Sequence, residues 1–135
     1  MTEDWHAQAF YRISAYGVIR NKVGHLLMVN EHGFFTLPGG GWEYGEDLHE
    51  ALKRELHEEI ALVSDFRDRI IAALPMYNEN KSAWQMLILS EIIYDKLKFS
   101  VGADATETKW LAIEDIDISL LSNKLVQEAL QWVEN

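Results

Sequence analysis

The sequence predicts an α/β fold in which helices cover both faces of a mixed β-sheet. Three observations carry that prediction. Segments follow one another in the order strand, strand, helix, several strands, helix. An amphipathic pattern beginning at Leu48 has the helical period, and a second apolar stripe of the same period closes the chain.

Ala9 to Arg20 is rich in aromatic and β-favouring residues and reads as the first strand. Asn21 to Gly24 suits a hairpin turn, and the apolar run His25-Leu-Leu-Met-Val29 reads as the second strand. Phe34-Phe35-Thr36-Leu37 then leads into a glycine turn at Gly39, Gly40 and Gly41. After the first helix, Arg69 to Tyr77 and Ser82 to Tyr94 are strands joined by the polar turn Asn78-Glu79-Asn80-Lys81. Glu107 to Ala112 reads as a last strand. From Ser122 onward, Leu125, Val126, Ala129, Trp132 and Val133 form the stripe of a C-terminal helix.

The first helix holds the most informative residues. Asp47 followed three residues later by Glu50 is a capping box, and Glu50 with Arg54 has the spacing of an i,i+4 ion pair. Leu48, Ala51, Leu52 and Leu56 define the inward stripe, with Lys53, His57 and Glu50 on the opposite half. Glu55 and Glu59 fall within about 20° of Leu48 on a helical projection, inside the apolar stripe. Glu58 lies on its shoulder, and Arg54 can reach it. An acid turned inward costs several kcal/mol unless a cation meets it. Three acids at that spacing, beside glycines that admit close approach of a ligand, point to divalent metal chemistry on a phosphate substrate. His49 and His57 lie on the outward half without metal-ligand spacing, and no histidine is assigned a role.

Composition narrows the class. A chain of 135 residues, 48 % hydrophobic, with two prolines and no repeat, is expected to form one domain over residues 1–135. The start Met1-Thr-Glu-Asp-Trp5 lacks the pattern of a signal peptide, and no apolar run approaches the ~20 residues of a membrane span, so a cytoplasmic protein is expected. The absence of cysteine excludes disulfides, thiol catalysis and cysteine-bound zinc. A net charge of −10 argues against general nucleic-acid binding but not against a nucleotide, because divalent cations can bridge two anionic partners.

The stretch from Gly40 to Leu62 resembles the signature of the Nudix hydrolases, G-x5-E-x7-R-E-U-x-E-E-x-G-U, where U is aliphatic. Gly40, Glu46, Arg54, Glu55, Leu56, Glu58, Glu59 and Leu62 fill their places. Chance agreement at six charged or glycine positions is on the order of 10⁻⁷ per window. Ala61 stands where the signature has its last glycine; a left-handed C-cap there costs alanine roughly 1 kcal/mol. The resemblance implies a Nudix-type α/β/α sandwich with a mixed β-sheet between helices. It implies Mg²⁺ or Mn²⁺ held by Glu55, Glu58, Glu59 and the carbonyl of Gly40, with Arg54 orienting the acids and Glu46 supporting the loop. For the general base it leaves two candidates, Glu58 and Glu107. Gly39 and Gly41, with Arg12 on the first strand, are implied substrate contacts. The implied activity is hydrolysis of a diphosphate bond in a nucleoside diphosphate linked to another group, by a monomer or homodimer. The alternative is a non-catalytic Nudix module that senses a nucleotide.

Overall fold

The computed structural model describes residues 11–31, 33–79, 81–100, 102, 105, 107–117 and 124–133. Strands β1 (Tyr11–Val18), β2 (Leu26–Glu31), β3 (Phe34–Thr36) and β4 (Gly39–Gly41) precede helix α1 (Leu48–Ile60). Strands β5 (Arg67–Asn78), β6 (Ala83–Ile93) and β7 (Glu107–Leu111) follow, then helix α2 (Lys124–Ala129). Residues 9, 10, 80, 122 and 123 of the expected elements lie outside the described residues. No helix among the described residues is long and apolar enough to cross a membrane.

The strands form two sheets. One is mixed, in the order β4-β1-β6-β5, with β1 and β6 parallel and the other pairs antiparallel. The other, β3-β2-β7, is antiparallel throughout. The hairpin at Asn21–Gly24 forms as expected: Asn21 Oδ1 accepts from Val23 N at 3.1 Å and His25 N at 2.9 Å. Beyond it, an Arg20–Leu26 bridge and a 2.9 Å bond from Leu27 N to Ile19 O follow the end of β1, and β2 pairs in the second sheet.

Two apolar cores lie on opposite sides of the strands. Leu26 and Met28 join Leu87, Leu89, Val126 and Ala129 on the α2 side. Leu27 and Val29 join Ala51, Leu52, Leu56 and Ile60 on the α1 side. A strand buried on both faces has no polar face to show, which is why β2 reads as an uninterrupted apolar run. The mixed α/β architecture with a helix on each side agrees with the expectation.

The capping box of α1 is complete, with Asp47 Oδ1 accepting from Glu50 N at 2.8 Å and Glu50 Oε1 from Asp47 N at 3.3 Å. Ala61 closes the helix at φ 48°, the left-handed conformation inferred for it. Leu62 N donates to Leu56 O at 3.3 Å, and both side chains enter the α1 core. Ser100 N and Gly102 N bond the carbonyls of Ile60 and Glu59 at 2.8 and 2.7 Å, satisfying acceptors at the helix end. The C-terminal helix is shorter than its stripe implied. It passes into a 3₁₀ turn at Leu130–Trp132, whose three-residue repeat buries Leu130 and Val133 and leaves Trp132 exposed.

Candidate active site

The glycine segment expected as a turn is a strand. Gly39, Gly40 and Gly41 pair antiparallel with Tyr16, Ala15 and Ser14. Gly39 demands glycine, and Gly40 leaves room for an acid. Gly39 has φ +149°, and a Cβ there would lie 2.2 Å from the Ala15 carbonyl oxygen. At Gly40 a Cβ would lie 2.5 Å from Glu55 Oε2. At Gly41 a Cβ would meet nothing within 4 Å. The Glu55 carboxylate therefore rests against the bare backbone of β4, in space a side chain would fill.

α1 turns its acids as the projection implied. Glu59 is 3 % and Glu55 9 % exposed, among Ala51, Leu52, Leu56 and Ile60, which are fully buried. Glu59 Oε2 accepts from Gly39 N at 3.3 Å. The Glu58 side chain is 41 % exposed, on the shoulder. Lys53, His57 and Glu50 face outward.

Arg54 ties the acids to the preceding loop. Its Nε and Nη2 hold the two oxygens of Glu46 at 2.8 and 2.9 Å, and Nη1 donates to Glu55 Oε1 at 2.8 Å. Nη2 also donates to Gly41 O at 2.7 Å, and Glu58 Oε2 lies 3.5 Å from Nη1. The expected Glu50–Arg54 pair is not among the described ion pairs. Glu50 is engaged in the capping box instead, while the guanidinium reaches acids on the other side. Hydrogen bonding to Arg54 is the main reason the Glu46 carboxyl is held below its ordinary range. The same bond is the first cause raising the guanidinium of Arg54. Glu46 also accepts from Glu43 N at 2.9 Å, and its carbonyl accepts from Trp42 Nε1 at 2.8 Å, so the loop into α1 is tied at both ends of this residue.

These residues fit a hard divalent cation. Two buried carboxylates one helical turn apart offer hard oxygens, and the bare strand at Gly40 gives a cation access to them. Among the described residues no three carboxylate or imidazole side chains converge on one point. Glu55 is drawn toward Arg54 and Glu58 lies outward, so the helix presents a pair of inner acids with a third at the rim.

A cavity of about 690 Å³ opens beside the start of α1. Arg12, Tyr16, Gly41, Glu46, Lys81 and Gln85 are among its lining residues. Arg12 is exposed there, as a substrate contact requires. Lys81, on the turn after β5, and Gln85, opposite Arg12 on β6, were assigned no role from the sequence, because nothing in their spacing ties them to the first strand. Gln85 Oε1 accepts from Asn78 Nδ2 at 3.2 Å, which leaves its own amide to donate.

Glu107, like Glu55, Glu58 and Glu59, is not among the residues that line this cavity. It heads β7 opposite Asn30, whose Nδ2 donates to Glu107 Oε1 at 3.1 Å. In this register Lys109 opposes Met28, whereas Trp110 opposes Leu27. Strand alternation therefore puts Glu107 with Met28 on the α2 side and Trp110 with the α1 core.

Residues 10–134 match the family model described as NUDIX domain. The chain belongs to the Nudix family. Over 102 residues it is 26 % identical to an ADP-ribose pyrophosphatase of Methanocaldococcus jannaschii, covering 74 % of this chain and 59 % of that protein. The chain thus spans about three-fifths of the length of that curated relative. A MutT Nudix hydrolase from Burkholderia pseudomallei superimposes with a TM-score of 0.75 at 17 % identity, over 93 % of this chain and 99 % of that one. The Nudix domain of Shewanella oneidensis NrtR, solved in complex with ADP ribose, gives 0.70 at 16 % identity, over 96 % and 90 %. Nudix hydrolases generally use divalent metal ions, in keeping with the oxygen donors of this Nudix helix.

Proposed function

We propose that this chain is a metal-dependent pyrophosphohydrolase that cleaves the diphosphate bond of a nucleoside diphosphate linked to another group. The observation that carries the reading is the buried pair Glu55 and Glu59 facing a side-chain-free strand. Arg54 meets Glu55 Oε1 from the loop side, and a divalent cation at the bare strand would neutralise the pair further. ADP-ribose leads the substrate list, because one relative is an ADP-ribose pyrophosphatase and the NrtR domain was solved with that molecule. Nucleoside triphosphates and nucleotide sugars follow.

In this reading Glu55 and Glu59, with Glu58 at the rim and the Gly40 carbonyl, would hold Mg²⁺ or Mn²⁺. When bound, the ion neutralises the diphosphate and lowers the pKa of a coordinated water. Arg54 fixes the Glu55 carboxylate against β4, and Glu46 fixes Arg54. Gly41 lets the diphosphate approach backbone, whereas Gly39 is buried against Ala15 and serves Glu59 instead, and Arg12 with Lys81 attracts the anionic oxygens into the cavity. Glu58 is the preferred general base: it is on the acid helix and partly solvated, whereas Glu107 is bonded to Asn30 on the α2 side.

The deciding experiment measures Mg²⁺- and Mn²⁺-dependent product release from ADP-ribose, nucleotide sugars and nucleoside triphosphates, with metal-free controls. Turnover of at least one diphosphate, abolished by chelation, is expected. Tight ADP-ribose binding with no turnover of any substrate would instead favour the nucleotide-sensing alternative.

A further inference from the structure

One amide in the cavity wall has its polarity fixed from outside the cavity. Lys81 N can only donate, and it donates to Asn78 Oδ1 at 3.2 Å. That bond decides which end of Asn78 is which, so its Nδ2 is the donor that meets Gln85 Oε1 at 3.2 Å. Gln85 is then left with its nitrogen to give. Among the described residues, Gln85 lines the 690 Å³ cavity and Asn78 does not. Gln85 opposes Arg12 across the parallel β1–β6 pair, so both side chains rise from the same face of the sheet. Lys81 lines the cavity as well. A guanidinium, an ammonium and an amide held nitrogen-first make this wall a set of donors. The acids of the cavity are engaged elsewhere, with Arg54 Nε 3.7 Å from Glu43 and 2.8 Å from Glu46.

Resting on the pyrophosphohydrolase reading, we propose that Gln85 is a specificity residue that donates to a phosphate oxygen of the substrate, and that Asn78 is the positioning residue that keeps it donating. Phosphate oxygens only accept, and Arg12 beside Gln85 favours an anion. A ligand that offers an amino group at this wall meets donors with donors, and both sides stay unpaired. The wall therefore sorts ligands by hydrogen-bond polarity, which charge alone does not do. Asn78→Asp inverts that polarity without touching the cavity. An aspartate accepts from Lys81 N with one oxygen, and its other oxygen draws the Gln85 nitrogen toward itself. Gln85 then turns its carbonyl oxygen to the cavity, where it repels a phosphate.

The test is calorimetric binding of ADP, inosine diphosphate and inorganic pyrophosphate to the full chain with Mg²⁺ present, at about pH 7.5, where an aspartate is ionised. Asn78→Asp is expected to weaken all three by about 10-fold or more. In a Gln85→Leu background the same substitution is expected to change nothing further, because it acts through Gln85. Gln85→Glu produces the same loss from the other partner should Asn78→Asp fail to fold. An equal loss with and without Gln85 would mean that the new charge acts directly, and overturns the proposal. So does unchanged binding in the folded Asn78→Asp protein, or a wild type that binds none of the three. A loss confined to inosine diphosphate, which carries a base carbonyl where ADP has an amine, would put the amide on the base and overturn the phosphate assignment. A wild type that binds but hydrolyses no diphosphate overturns the hydrolase reading and leaves this wall in place.

Discussion

Arg54 grips Glu46 with two nitrogens, Nε and Nη2, at 2.8 and 2.9 Å, and with its remaining nitrogen holds Glu55 against the glycine strand. One guanidinium thus links the loop before the helix to a buried acid on it. Lysine cannot reproduce this fork, since an ammonium donates from one point. Arg54→Lys is expected to lower metal-dependent turnover by about 10- to 100-fold while a cooperative melt is retained. Steady-state kinetics at several metal concentrations checks this, with a rise in the metal needed for half-maximal rate as its mark.

The same fork predicts an acid dependence of stability. Glu46 has a folded-state pKa below its ordinary 4.5, so its contribution is complete above that value and is lost as pH falls through the depressed one. Melting temperatures from pH 7 to pH 3 should therefore fall more steeply below about 4.5 for the wild type than for Arg54→Ala. Parallel curves would show that the ion pair is too well screened to matter.

Glu59→Gln removes charge while keeping an oxygen that can accept from Gly39 N. Folding is expected to survive and turnover to fall by roughly 100-fold or more. A readout independent of activity is the melt: Mn²⁺ should raise the wild-type midpoint and leave Glu59→Gln nearly unmoved. Equal shifts in both proteins would remove Glu59 from the metal site.

The three glycines of β4 should separate by mechanism. Gly39→Ala forces a Cβ against the Ala15 backbone at a φ of +149°, and should cost about 3 kcal/mol or more. Gly40→Ala pushes on the Glu55 carboxylate, and is expected to spoil activity more than stability. Gly41→Ala meets open space and should be well tolerated. Denaturant melts and rates on the same three variants test the ranking.

Ala61→Gly relieves the left-handed cap. It should stabilise the protein by about 0.5–1 kcal/mol, less than the full strain because glycine also loosens the unfolded chain. A rise of about 2–5 °C in Tm is the expected signal.

The pH–rate profile separates the two candidate bases. Glu107→Gln is expected to keep the acid limb of the wild type, because its carboxylate serves Asn30 on the α2 side. Glu58→Gln should flatten that limb. The opposite pattern would transfer the role to Glu107.

Helix α1, its capping box, its inward acids and its left-handed end were all legible in the letters, because a helix is set by contacts within four residues and its faces follow from a fixed period. The apolar run of β2 was visible too, but its burial on both faces emerged only from the folded sheets. Pairing was not legible. That Gly39–Gly41 is a strand rather than a turn depends on β1 offering an edge, and nothing local in three glycines says so. The split into two sheets, the Asn30–Glu107 bond and the arrival of Gly102 at the end of α1 join residues far apart in the chain, where register is decided by packing. Arg54 shows the same division within one residue. Its sequence spacing permits Glu50 or Glu58, but only the folded loop brings Glu46 into the fork. Local periodicity and motif spacing determined which groups this protein has; the tertiary structure alone decided which of them meet, because long-range contacts are chosen by the competition of whole surfaces for burial.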